Sequence, residues 1–279
     1  MKIELVTDDI RRGRNTVKYE GNVEVVGTVR SGARIEVDGD IGIFGDVEDA
    51  EIRASGDVMI DGGFLGTGTG KISCGGGFSA RFVQGQRIEA GGDVRVTKGV
   101  ISSTVYTSGR LLVGETGAVV GGEIHAYRGA EAGVLGSKRP VTTRIEVGID
   151  PAISMRIEEL EWKAMELASR RIRYIKDITF VAGRPGAKPP DMMKDLTAAS
   201  RAVQAELVSM GEEILKLRSD SSTDDGATVR ARTRTFPPLD ISICFSKIVN
   251  ESETGPVVFR LMEDRIVLDT WNLGWHENG

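Results

Sequence analysis

Apolar and polar positions alternate through the first half of the chain, and glycine corners interrupt the alternation at a nearly regular interval. The phrases ARIEVDGDIGI, AEIRASGDVMI, GKISCGGGFSA, QRIEAGGDVRV and STVYTSGRLLV share one pattern, whose first apolar residue falls at Ile35, Ile52, Ile72, Ile88, Val105 and Ile124. The steps run from 16 to 20 residues, and weaker copies begin at Val17 and Ile145. Within a copy the period is two, as in Ile35 and Val37, then Ile41 and Ile43. That is the mark of a strand with one buried face. The corners Gly39-Asp40, Gly56-Asp57, Gly76-Gly77, Gly92-Asp93 and Gly109-Arg110 separate the two strands of each copy. At these corners glycine is expected to supply positive φ and aspartate to bond its own backbone. A third short segment closes each copy, with Val47, Leu65, Val83, Val100 and Val119 as its inward residues.

One such coil cannot bury its own apolar side chains, so the coils must stack. Stacking at about 4.8 Å pairs every backbone edge and lines up like residues inside, and about eight layers would give a rod roughly 35 Å long. The predicted core column is therefore Ile35, Ile52, Ile72, Ile88, Val105 and Ile124. An antiparallel sandwich does not return one phrase at one phase six times. A left-handed hexapeptide helix keeps a strict step of six, whereas Val47 to Ile52 is five and Leu65 to Ile72 is seven. The expected class is mainly β: a right-handed parallel β-helix, or β-solenoid.

After Asp150-Pro151 glycine becomes rare and the apolar period lengthens to between three and four. Pro151 suits a first helical turn with Asp150 as its cap. Ile153, Ile157, Leu160, Ala164, Leu167 and Ala168 form a stripe that continues through Ile172, Ile175 and Ile178. AGRPGAKPP at residues 182–190 ends this helix, and Asp191 opens a second with the stripe Leu196, Ala199, Val203, Leu207, Met210, Ile214 and Leu217. Two helices of similar length on a short Gly/Pro loop predict an antiparallel coiled-coil hairpin. Packing of both helices flat along the rod is the alternative. The candidate helix interface is Ile157, Leu160, Leu196, Val203, Leu207, Met210 and Ile214. Beyond the polar break SDSSTDDG, the segments TVRARTRTF, DISICFSKI, PVVFRL and DRIVLD read as strands that return to the solenoid or cap its end. The expected division is a β-helix over residues 1–150, a helical hairpin over 151–218 and a C-terminal β segment over 219–279.

Composition removes several functions. With 279 residues, a formal charge of -5 and two cysteines in unrelated contexts, the chain needs no disulfide or metal staple and carries no nucleic-acid signature. It has no signal-like segment and no apolar run of membrane-spanning length, so a cytoplasmic chain without a membrane span is expected. The two histidines, His125 and His276, lie in unrelated contexts and form no paired site. Asp40, Asp57 and Asp93 would form a ladder, which a turn-forming role explains more simply than calcium or polysaccharide binding. GFLGTGTGK, residues 63–71, resembles a phosphate loop but lacks the GK[ST] ending. Arg170, Arg171, Arg173 and Lys176 form either a solvated helix face or a docking patch for an acidic partner. No catalytic residues, cofactor or metal are expected.

The phrases GARIEVDGDIGIFGDV, RIEAGGDVRVTKGVISSTVYTSGRLLVG and VVGGEIHAYRGAEAGVLGSKRPVTTRIEVGID resemble the flagellar assembly protein A (FapA) family of polymerising β-helix proteins over residues 21–150. The order of corner phrases and the closing TRIEVG before a helix carry the likeness. The resemblance implies a non-enzymatic role in assembling or positioning bacterial surface machinery. Self-association and docking to protein partners are the expected mode of action. The competing class is a carbohydrate-active β-helix enzyme, which would need clustered carboxylates and bases in an extended groove, or a polysaccharide-binding solenoid.

Overall fold

The computed structural model describes residues 3–11, 17–183 and 190–270. Its chain divides into two compact units, Met1–Pro151 with Thr223–Gly279, and Ala152–Ser222. The first is the β unit. Its strands are β1 (Ile3–Val6), β2 (Val17–Glu20), β3 (Asn22–Val25), β4 (Arg34–Asp38), β5 (Ile41–Ile43), β6 (Val47–Glu48), β7 (Glu51–Ala54) and β8 (Val58–Leu65). They continue as β9 (Lys71–Cys74), β10 (Phe78–Gln84), β11 (Arg87–Ala90), β12 (Val94–Thr107), β13 (Arg110–Val113), β14 (Ala118–Ala126), β15 (Gly129–Leu135) and β16 (Thr143–Val147). Helices α1 (Pro151–Ala182) and α2 (Pro190–Asp220) follow, and then β17 (Thr228–Thr235), β18 (Leu239–Ile243), β19 (Ser246–Asn250), β20 (Val257–Met262) and β21 (Arg265–Thr270).

The pairing is that of a parallel β-solenoid with three faces. On the first face the register runs Val17, Ile35, Ile52, Ile72, Ile88, Val105, Ile124, Ile145, Ile241, each residue directly over the last. From Ile35 to Ile241 every member is at most 1% exposed. β3, β5 and the first halves of β8, β10 and β12 stack on the second face, while β6 and the distal ends of β8 and β10 stack on the third. Like side chains lie over like at the strand spacing, so the core is a set of stacked columns that no single coil could bury alone.

On the third face, Phe64 and not Leu65 occupies the inward column, paired with Val47 and Val83. Its side chain is wholly buried, whereas that of Leu65 is only half-buried. β8 has one more residue than β10 at the bend between its two faces, and this extra residue shifts the phase by one.

The solenoid does not stop where the helices begin. β16 lies on the first face, the chain leaves as α1 and α2, and β17 then takes the second face by pairing parallel to β15, Ala130 to Val229 and Ala132 to Ala231. β18 next pairs parallel to β16, with Ile145 over Ile241. The helices are thus inserted at one corner of one coil, and the C-terminal strands first extend the rod. An Ile149–Thr223 bridge and a 3.0 Å bond from the Asp224 amide to the Gly148 carbonyl join the outgoing and returning backbones. Only afterwards does the direction reverse: β19 lies antiparallel on β18, β20 on β17 and β21 on β20.

Two of these reversals are tight. Cys244 and Phe245 have φ of 47° and 70°, and Glu263 and Asp264 have 47° and 63°. Two consecutive positive φ values are what a type I′ hairpin requires, and asparagine-glycine meets that need with the least strain. Replacing the exposed pair Glu263-Asp264 by Asn-Gly is expected to stabilise the protein by about 1 kcal/mol. A higher melting temperature in thermal denaturation checks it.

The second unit is the helix pair. In α1 the positions withdrawn from solvent include Ile153, Ile157, Leu160, Ala164, Leu167, Arg171, Tyr174, Ile178 and Val181; in α2 they include Met193, Leu196, Ser200, Val203, Leu207, Met210, Ile214 and Leu217. Both series step by alternating threes and fours, the 3.5-residue period that keeps a straight seam between paired helices. Ion pairs from Arg156 to Glu213 (2.7 Å) and from Arg218 to Glu161 (3.3 Å) flank the seam. They join the start of α1 to the end of α2, as an antiparallel pair demands. The stripe expected through Ile172 and Ile175 is displaced, because these residues are 54% and 42% exposed while Arg171 and Tyr174 occupy the heptad positions. The loop at residues 184–189 and His276 lie outside the described residues.

Candidate interaction surfaces

The corner aspartates act between coils. Asp40 Oδ1 accepts the amide of Asp57 at 2.8 Å, Asp57 Oδ1 that of Gly77 at 2.7 Å, and Asp93 Oδ1 that of Arg110 at 2.9 Å. Each carboxylate closes a backbone bond of the next coil, where the own-backbone turn bond had been expected. The glycines follow from this. A Cβ at Gly56 would lie 2.0 Å from Asp40 Oδ1, and one at Gly76 would lie 2.0 Å from Asp57 Oδ1, although neither glycine has positive φ. Glycine is needed here for close approach of the carboxylate below.

The glycine loop at residues 66–70 is built on the same principle. Its Thr67 and Thr69 amides, the Thr67 hydroxyl and Gln86 Nε2 all donate to the Asp49 carboxylate, at 2.9–3.2 Å. The loop therefore holds an anion, but the anion is the chain's own side chain. Burial raises the Asp49 pKa, and these donors outweigh it, bringing the group from 3.8 down to about 2. Because the folded value lies below the unfolded one, the stabilisation is complete above about pH 4 and is lost as pH falls through about 2. Asp49→Asn should melt below wild type at neutral pH, and the gap should close between pH 4 and pH 2 in a series of thermal melts.

On the outer side of the first face, charges give way to rings. Lys18 pairs with Glu36 at 2.6 Å, and both Lys71 and Arg87 pair with Glu89 at 2.8 Å. Arg87 lies 4.6 Å above the Tyr106 ring, Tyr106 stacks on His125 with centroids 4.6 Å apart, and His125 Nδ1 lies 2.8 Å from a Glu146 oxygen. Stacking coils by one register thus converts residues 16 to 21 positions apart into one continuous column. Tyr106 and His125 are buried in it. His125 consequently has a structural place.

A groove of about 560 Å³ runs along the second face, lined by Met59, Asp61, Arg81, Arg95, Leu112, Glu115 and Arg232 among others. Its carboxylates, Asp61 and Glu115, stand three coils apart. That is roughly 14 Å at the strand spacing, beyond the separation of about 5 to 9.5 Å that glycoside hydrolysis uses. Glu115 is also paired with Arg232 at 3.1 Å. Burial, together with the charge of Asp57, pushes the Cys74 thiol up to about 12, and burial with Asp225 pushes Cys244 up to about 11, so both are held in the thiol form at neutral pH.

Residues 9–266 match the Flagellar Assembly Protein A beta solenoid domain. The chain belongs to this FapA family. The match spans the solenoid, both inserted helices and the returning strands, so the insertion lies inside the family domain. No curated protein and no solved structure matches the chain.

The predicted core residues Ile35, Ile52, Ile72, Ile88, Val105 and Ile124 form the first-face column. Of the candidate helix interface, Ile157, Leu160 and Val203 are buried and Leu196, Leu207, Met210 and Ile214 half-buried, all on the heptad seam. A different set faces solvent. Trp162 is 67% exposed, Met165 59%, Ile172 54% and Phe180 58%. At 100° per residue these four share one side of α1, nearly opposite the seam. They were missed because the seam already accounted for an apolar stripe; a second stripe rotated from the first is the signal that identifies them. No helix is long and apolar enough to cross a membrane among the described residues.

Proposed function

We propose that this FapA-family chain is a cytoplasmic, non-enzymatic scaffold that self-associates and docks other proteins, in the assembly or positioning of flagellar or cell-surface machinery. The observation that carries the proposal is the exposed stripe Trp162, Met165, Ile172 and Phe180 on α1. A solvent-facing tryptophan and phenylalanine on one helix side are the residues that anchor protein interfaces, and helices with a 3.5-residue seam readily add a further helix. The two helices act as a coiled-coil hairpin, and its first partner is the hairpin of a second copy. A two-fold arrangement would let the stripe cover itself. The interlocked corners and ion-pair columns of the solenoid support rigidity more readily than turnover.

Light scattering over an about hundredfold dilution series tests this, since association is governed by mass action. Wild type is expected to dissociate on dilution, and Trp162→Glu with Phe180→Glu to remain a monomer throughout while keeping its helical circular dichroism. A monomeric wild type at every concentration would overturn self-association. Turnover of a polysaccharide panel would favour the enzyme instead.

A further inference from the structure

The corner ladder is interrupted twice along the rod, by Gly77, which has no side chain, and by Arg110. Asn22, Asp40, Asp57 and Asp93 each present an oxygen to the amide of the next coil, at Asp40, Asp57, Gly77 and Arg110 respectively. At Arg110 the ladder residue becomes a donor-only guanidinium, which has no acceptor to offer Gly129, its partner in the next coil. At this corner lies a cavity of about 40 Å³, lined by Arg110, Arg128 and Arg230 with Leu112, Gly129, Ala130, Glu131, Gly226 and Thr228. By the space one ordered water needs, that is room for roughly three waters, the size of one phosphate group.

The charges around the cavity are unbalanced. Glu131 is the acid in its wall, and it is already taken by the Arg232 guanidinium, which also reaches Glu115. The side chains of Arg110 and Arg128 make no hydrogen bond or ion pair among the described residues. Arg230, whose Nε donates to Thr228 Oγ1 at 3.1 Å, completes the wall. Placing Arg110 and Arg128 side by side without a counter-charge costs stability, and Arg110 stands where four other coils place an Asn or Asp acceptor.

We propose that this corner is a binding site for a phosphate group, held by Arg110 and Arg128 in the place that a carboxylate fills elsewhere on the ladder. One carboxylate suffices where a lone amide must be satisfied. Here three arginines line one cavity, and a dianion matches them better than a monoanion. The site rests on the ladder geometry and is independent of the hairpin proposal.

Isothermal titration of the full chain at constant ionic strength tests it, with inorganic phosphate, O-phosphoserine and acetate as probes. Inorganic phosphate or phosphoserine is expected to bind saturably, and acetate more weakly. Tighter binding of phosphoserine would identify a phosphate carried on a larger molecule, and tighter binding of inorganic phosphate would identify the free ion. Arg110→Gln and Arg128→Gln should each weaken binding by about tenfold or more, while Arg139→Gln, at an exposed position outside the cavity, leaves it unchanged. In phosphate-free buffer both cavity variants should melt at or above the wild-type temperature, because like charges have been separated; a purely structural role predicts the reverse. Absent binding, equal affinity for acetate, or binding indifferent to both cavity substitutions would overturn the proposal.

Discussion

Ile88→Asp is expected to unfold the solenoid or cost it about 4 kcal/mol or more, the penalty of a buried carboxylate without a partner. Ile88 is wholly buried, stacked between Ile72 below and Val105 above. The inward column offers no donor, since its members on either side are aliphatic. A stacked core also spreads the damage, because each coil depends on its neighbours to close its top and bottom. Chemical denaturation with circular dichroism checks the expectation. Ile88→Val, which keeps shape and polarity, should lie within about 1.5 kcal/mol of wild type. Equal stability of Ile88→Asp and wild type would mean that the column is not the core.

Excising residues 152–222 should leave the β unit folded. The chain leaves and returns through adjacent backbones, joined by the Ile149–Thr223 bridge and the bond between Asp224 and Gly148. Bridged strands lie about 5 Å apart, so a linker of about three Gly/Ser residues spans the gap. β17 and β18 already pair with β15 and β16 across the insertion, and their ladders do not use the helices. The excised chain should lose its helical circular dichroism, retain a cooperative β-type melt, and show a midpoint close to that of the intact chain. A molten or insoluble product would show that the helices are needed to hold the coil at that corner.

The solenoid could be read from the sequence because a period of two, repeated at one phase, admits few folds; the Ile35 to Ile124 column follows directly. Its exceptions have specific causes. Phe64 takes the place expected for Leu65 because of one extra residue at the bend of β8, which counting within a repeat cannot detect. The corner glycines serve approach between coils, a contact between residues 16 to 19 positions apart that no local turn rule contains. The antiparallel reversals were hidden because Cys244-Phe245 and Glu263-Asp264 are not residues that announce a type I′ turn. α1 also carries apolar residues away from the seam, so counting apolar residues moved the seam onto Ile172 and Ile175. Arg171 and Tyr174, polar in type, concealed the true heptad. The Arg110 site was invisible for a different reason: its residues come from successive coils and from β17, which reaches them only by crossing the helical insertion.

Sedimentation equilibrium on the intact chain and on the chain lacking residues 152–222 tests most directly whether the hairpin is the contact surface that the solenoid carries. The intact chain should show a reversible monomer–dimer equilibrium and the shortened chain a single monomeric species with a folded β signature. A shortened chain that dimerises as strongly as the intact one, or an intact chain that stays monomeric, would contradict it.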